Sequence, residues 1–331
     1  MQQLLAALAG ASQVLILPHN DPDPDAIASA VGLRYLLAQV AGIEAQIGYQ
    51  GIVGRAENKA MVRYLERPLR QLGDADLRRA SHIALVDTQP GAGNNPLPAV
   101  RIPAVVLDHH TLRSETCRAL YSDIRPEQGA TSTIVTEYLQ AAALKMPESL
   151  ATALFYGIKT DTRGLGRGAG LNDIAAYYYL QSLVDIEALT EIERAQVPAS
   201  YFKGFVTAIQ AARIYDQAVL SYIGPMTYPD QAAEIADQLS RLENIQWVLC
   251  MGTFKGMLRL AVRSRSRRTG AGKLIQAIVG DLGIAGGHGT MAGGQIELAG
   301  RDPQQLAAEL GQKLLACLKL SPTLAGKPLS F

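Results

Sequence analysis

No charge of one sign prevails in this chain: 31 lysines and arginines stand against 30 aspartates and glutamates in 331 residues, a formal net charge of +1. A near-neutral surface has no bulk field to hold a long polyanion such as duplex DNA, so any nucleic-acid contact should be local. Cysteine is scarce. Cys117, Cys250 and Cys317 are odd in number, widely spaced and without a Cys-x-x-Cys pair, which suits buried thiols in a reducing compartment and leaves no disulfide framework. No apolar run approaches the ~18 residues of a membrane span. The apolar N-terminus carries Ala9-Gly10-Ala11, which imitates a signal-peptide cleavage site, yet no lysine or arginine precedes Arg34, so the positive region of a signal peptide is missing. Internal repeats and low-complexity segments are also absent. These absences lead us to expect a cytoplasmic protein with no membrane contact.

With 48% hydrophobic residues, the chain is long enough for two domains, each with its own core. Short apolar runs at 14–17, 45–49, 82–86 and 104–107 alternate with helical patterns at 26–40, 58–65, 131–144 and 147–159. That alternation predicts a doubly wound α/β domain with a mainly parallel sheet over residues 1–186. Residues 187–214 read as a helical connector. From 215 to 331 the texture changes to a smaller α+β unit, in which 246–251 and 258–263 pair through a Lys255-Gly256 turn.

The chemistry concentrates in His19-Asn20-Asp21-Pro22-Asp23-Pro24-Asp25, at the end of the first apolar run. Carboxylates crowded this tightly raise one another's pKa values unless a cation neutralises them. In an extended loop, Asp23 and Asp25 diverge toward two ions. A polar turn uses the same residue types, and what separates the two readings is the company the segment keeps. Asp87 follows the run 82–86, Asp108-His109-His110 ends the run 104–107, and Asp161 lies in a Lys-Thr-Asp-Thr segment. In open parallel sheets ligands gather at the carboxyl ends of strands, so these segments converge. Two imidazoles and four carboxylates, from His19, Asp23, Asp25, Asp87, His109 and Asp161, suit Mn²⁺ or Mg²⁺ better than a thiolate-bound zinc. Two such ions can clamp a phosphoryl group and activate water between them.

In this order, the His-Asn-Asp-Pro-Asp-Pro-Asp-Ala loop, the Val-Asp-Thr segment, the Asp-His-His triplet and the Thr-Asp-Thr segment resemble the four motifs of the DHH phosphoesterase family. Arg263-Ser264 and Gly286-Gly287-His288 resemble its associated C-terminal domain, and the likeness spans nearly the whole chain. Two departures are Pro24, where the family often carries glycine, and Ala285, where a third glycine is common. The resemblance implies two divalent cations, most readily Mn²⁺ with Mg²⁺ or Co²⁺ as substitutes. His19 and Asp23 would hold one, Asp25, His109 and Asp161 the other, and Asp87 both. Asp108 would orient a neighbour, and His110 would face the substrate phosphate. The implied substrates are short single-stranded oligonucleotides or phosphorylated nucleotides such as 3′,5′-bisphosphorylated adenosine. Hydrolysis of polyphosphate or pyrophosphate needs the same metals, and a nucleotide sensor would bind without turnover. A homodimer is compatible with the sequence.

A local basic cluster, Arg259, Arg263, Arg265, Arg267, Arg268 and Lys273, stands out on the neutral chain. On one strand, Arg259, Arg263, Arg265 and Arg267 share a face, where arginine forks fit phosphate oxygens. A Gly286-Gly287-His288-Gly289 turn would bring backbone N–H groups close to a phosphate or base. We therefore expect Arg263, Ser264, Gly286, Gly287 and His288 to bind the substrate, in a cleft between the domains. Arg163 and Arg167 are candidates for steering an anion. Two other motifs fail. Gly270-Ala271-Gly272-Lys273 lacks the first glycine and the Ser or Thr of a P-loop, and Gly164 to Ala169 follows a helix where a dinucleotide fingerprint needs a strand.

Overall fold

A computed structural model of the chain describes residues 1–265, 270–321 and 324–329, except the side chains of Asp74 and His288. Arg267 and Arg268 of the basic cluster, and the His288 side chain, lie outside the described residues. Contacts divide the chain into Met1–Ala195 and Gln196–Phe331, a division that falls inside the expected 187–214 connector. Among the described residues, no helix is long and apolar enough to cross a membrane.

The first unit runs α1 (Gln2–Ala6), β1 (Gln13–Leu17), α2 (Pro24–Ala41), β2 (Glu44–Tyr49), α3 (Ala56–Tyr64), β3 (Leu69–Gln71), α4 (Asp74–Arg79), β4 (His82–Val86), β5 (Val105–Asp108) and β6 (Tyr121–Ile124). It continues through α5 (Thr131–Ala141), α6 (Glu148–Thr162), α7 (Leu171–Gln181) and α8 (Ile186–Glu193). The six strands lie in the order β3-β2-β1-β4-β5-β6, and every pair is parallel. Alternation along each strand feeds two cores: Val14, Ile16, Ala84, Val86, Val105 and Leu107 pack with α2, α5 and α6, while Leu15, Leu17, Ile83, Leu85 and Val106 face the opposite side. Buried on both faces, these strands read as continuous apolar runs. Strand order reverses direction between β1 and β4, and the loops leaving that switch point carry the acidic motif and Asp87.

The second unit contains α9 (Ala199–Ala211), β7 (Arg213–Tyr215), β8 (Ala218–Pro225), α10 (Gln231–Leu239), β9 (Trp247–Phe254), β10 (Met257–Ser264), α11 (Ala271–Val279), β11 (Gly283–His288), β12 (Met291–Glu297), α12 (Pro303–Cys317) and β13 (Lys327–Pro328). Its sheet has the order β11-β12-β10-β9-β8-β7-β13, with β8 and β9 parallel and the other pairs antiparallel. One core packs against α11 and α12, the other against α9 and α10. Phe254 pairs with Met257 across Lys255 and Gly256, both at positive φ, as expected for a tight hairpin turn.

Three expectations need correction. Gly286, Gly287 and His288 belong to strand β11, paired with Gly293, Ala292 and Met291, and do not form a turn. Gly287 fits close strand packing, since a Cβ there, at φ 151°, would lie 2.4 Å from the Ala292 Cα. Asp23 and Asp25 do not lie in an extended loop: they straddle a helix start, with Asp23 capping α2 and Asp25 in its first turn. Of the three thiols, only Cys250 is buried, and burial pushes it up to about 12.

Candidate metal centre

Each histidine of the cluster is oriented by a backbone carbonyl. His19 Nδ1 lies 2.8 Å from the carbonyl of Asn20, and His109 Nδ1 lies 3.2 Å from that of Gln128. A carbonyl only accepts, so each Nδ1 carries a proton, and in the neutral ring each Nε2 presents a lone pair. That is the tautomer a metal needs. His19 Nε2 faces Asp23 Oδ1 and Asp87 Oδ2, both at 3.5 Å. His109 Nε2 faces Asp87 Oδ1 and Asp161 Oδ2, also at 3.5 Å.

Two sets with ligand atoms inside 4.8 Å of one another result, His19-Asp23-Asp87 and Asp25-His109-Asp161, and a third joins Asp87, His109 and His110. Asp87 thus turns Oδ2 toward His19 and Oδ1 toward His109. Its backbone holds a left-handed φ of 57°, and its N–H donates to the Leu107 carbonyl at 2.9 Å. Asp161 sits on the last turn of α6, where the Arg167 guanidinium donates to its carbonyl.

The electrostatics ask for cations. Burial, then Asp25 and the other nearby carboxylates, holds Asp87 well above its ordinary range. Burial with Asp23 and Asp25 does the same for Asp161, and burial with Asp23 lifts Asp25 to about 6. Asp23 moves the other way: burial pushes it up, but His19 and the Ala26 N–H outweigh that and pull it down. Carboxylates this crowded ionise together when divalent charge neutralises them. The donor set of oxygens and imidazoles therefore fits divalent cations.

Beside the cluster, Asp108 Oδ1 lies 2.8 Å from His110 Nδ1 and accepts from the His109 N–H. This contact overcomes burial to raise His110 and lower Asp108, so the proton belongs on Nδ1. The His110 side chain is 43% exposed, within reach of a ligand.

Other residues hold these groups in place, and the sequence reading passed over them. Gln89 is buried and donates to Asp108 Oδ2 at 2.7 Å, while its Oε1 accepts from the Arg113 N–H at 2.9 Å and the Thr116 hydroxyl at 2.8 Å. Its place two residues after Asp87 was the available signal. Asp21, the first acid of the loop, is an anchor: its Oδ1 accepts from the Ile52 N–H at 2.8 Å. Helix α6 approaches the starts of α5 and α2 so closely that a Cβ on Gly157 would lie 2.5 Å from Ser132 Oγ and 3.2 Å from the Asp25 Cα.

Residues 13–158 match the DHH family, N-terminal domain. They form a DHH family domain. Over 288 residues the chain is 34% identical to an uncharacterized protein of Methanocaldococcus jannaschii, covering 86% of this chain and 58% of that protein. Over 152 residues it is 26% identical to a probable manganese-dependent inorganic pyrophosphatase of Streptococcus equi subsp. zooepidemicus, covering 46% of this chain and 49% of the relative. The chain therefore spans roughly half the length of these two relatives. An exopolyphosphatase-related protein from Bacteroides fragilis shares the fold, with a TM-score of 0.72 at 16% identity and 95% of each chain covered. The DHH domain thus has its acidic loop after β1, Asp87 after β4 and the Asp108-His109-His110 triplet at the end of β5.

In the second unit, Arg263 pairs with Met291 of β12, which pairs with His288 of β11. The Arg263-Ser264 and Gly286-Gly287-His288 backbones therefore flank one strand at the same end of the sheet. Arg263 itself is buried at 6% exposure, with Nε 2.7 Å from Asp237 Oδ1 and a terminal nitrogen donating to the Ala233 carbonyl at 3.2 Å. Leu258, Leu260 and Val262 face α11 and α12, so Arg263, one position out of phase, falls under α10. A phosphate contact by Arg263 requires that ion pair to open. Arg265 lies beyond the end of β10 and is exposed.

Proposed function

We propose that the protein is a two-metal phosphoesterase acting on short oligoribonucleotides or small phosphorylated nucleotides in the cytoplasm. The observation that carries this reading is the reach of Asp87, whose two oxygens lie 3.5 Å from His19 Nε2 and His109 Nε2. His19, Asp23 and Asp87 would hold one divalent cation, and Asp25, His109, Asp161 and Asp87 the second. When bound, such a pair supplies Lewis acidity to the phosphoryl group and lowers the pKa of an attacking water. Mn²⁺ is the ion of choice for this donor set, with Mg²⁺ and Co²⁺ as substitutes.

His110, with Nδ1–H directed at Asp108, presents its other edge to the substrate phosphate and can hold a proton there. Asp108 fixes the ring, and Gln89 fixes Asp108. We assign the non-reacting part of the substrate to the second unit, through Ser264, Gly286, Gly287 and His288, joined by Arg263 once its ion pair with Asp237 opens.

The second reading, hydrolysis of pyrophosphate or polyphosphate, is favoured by the similarity to the streptococcal pyrophosphatase over 46% of this chain. It needs the same metals and no contact with a base. A ladder of RNA lengths, 3′,5′-bisphosphorylated adenosine, pyrophosphate and polyphosphate, each assayed with Mn²⁺, separates the two. With no excess charge to hold a long strand, the rate should peak at the shortest RNAs. Polyphosphate outcompeting every nucleotide would establish the second reading, and Mn²⁺ binding with no turnover of any substrate would point to a sensor.

A further inference from the structure

Helix α5 begins against two carboxylates of the metal centre at once. Thr131, its first residue, donates its N–H to Asp25 Oδ2 at 2.7 Å and its hydroxyl to Asp87 Oδ1 at 3.0 Å. The Ser132 N–H takes the other oxygen of Asp25, also at 2.7 Å. Asp25, Asp87 and Thr131 are all at most 2% exposed. One residue therefore ties the first turn of α2 to the loop after β4.

The hydroxyl contact matters more than the backbone one, because the last torsion of an aspartate is soft and selects no single carboxylate orientation. Asp87 depends on that torsion: Oδ2 must face His19 while Oδ1 faces His109. The Thr131 hydroxyl occupies one lone-pair direction of Oδ1 and leaves the other on the His109 side. We propose that Thr131 is the positioning residue that sets the rotation of the Asp87 carboxylate, so that both cation positions depend on its hydroxyl. This inference rests on the two-metal reading above.

Its test uses Mn²⁺ itself, through calorimetric titration and the EPR spectrum of the loaded protein, on wild type, Thr131→Val and Thr131→Ser. Groups that orient metal ligands are typically worth ~10- to 100-fold in affinity, so Thr131→Val should lose roughly that much at one position at least. Its spectrum should shift from a coupled ion pair toward isolated Mn²⁺. Thr131→Ser keeps the hydroxyl and should stay within about threefold of wild type, well below that range. A role limited to packing would instead lower the melting temperature of Thr131→Ser, which loses the methyl, and spare the Mn²⁺ affinity of both variants. Thr131→Ala is read the same way should the valine variant fail to fold. Wild-type Mn²⁺ affinity in the variants lacking the hydroxyl overturns the inference and leaves the two-metal reading standing. No Mn²⁺ uptake by the wild type overturns both.

Discussion

Asp87 and Asp108 are both buried aspartates at strand ends, yet the geometry gives them different work. Asp87 offers an oxygen to each histidine of the cluster, whereas Asp108 spends its oxygens on His110, Gln89 and the His109 N–H. Asp87→Asn should therefore abolish binding of at least one Mn²⁺ and nearly all turnover. Asp108→Ala should fall within the ~10- to 100-fold losses of an orienting group. Metal content and turnover measured on both variants check this, and equal, mild losses would sink the assignment. Arg263 calls for a different measurement. Because its guanidinium is engaged by Asp237, Arg263→Ala should destabilise the protein by about 1 to 3 kcal/mol. A lowered denaturation midpoint without any ligand is the expected result. An unchanged midpoint with a loss confined to nucleotide turnover would show that the arginine serves the substrate first.

Among the elements, α6 combines two demands. Its last turn presents Asp161, and its middle must pass close to Asp25. Gly157 permits that approach, since a Cβ there would overlap Ser132 Oγ at 2.5 Å. Overpacking of this kind costs about 1 to 3 kcal/mol. The strain should appear at the metal centre as well, because Ser132 holds Asp25 through its N–H. Gly157→Ala should therefore weaken Mn²⁺ binding along with stability. A destabilised variant with wild-type Mn²⁺ affinity would show that the helix can shift without disturbing the ligands.

For the whole molecule, the crowded carboxylates link stability to pH and to metal. Asp25 is lifted from 3.8 to about 6, and Asp87 and Asp161 are also raised. An acid whose pKa is raised by folding binds its proton more tightly in the folded state. Its contribution is full below the unfolded value and is lost as pH rises through the folded one. The metal-free protein should therefore lose stability as pH rises from about 4 through about 6 and beyond. Asp23 and Asp108 are lowered and act in the opposite sense, losing their contribution as pH falls below the ordinary carboxylate range. Saturating Mn²⁺ should reverse the trend on the alkaline side by binding the ionised folded form. Melting curves from pH 4 to 8, in chelator and in Mn²⁺, test this, and parallel curves would contradict it.

Local order determined a great deal. Apolar runs ending in His, Asp and the Asp-His-His triplet disclosed both the parallel sheet and the edge where its acids and histidines gather, because strands buried on both faces leave uninterrupted hydrophobic signals and their carboxyl ends meet at one edge. The short strands β3, β6, β7 and β13 escaped notice, being two to four residues long and mostly polar or half-buried. Other matters could only be decided by tertiary contact. Whether Asp87 turns one oxygen to each histidine depends on Thr131, 44 residues away. Whether Arg263 faces a substrate or a helix depends on Asp237, 26 residues back on α10. Spacing along a strand states which residues share a face, but not what covers that face. Here the cover is α10, and it turns an arginine of apparent phosphate-binding character into half of an ion pair.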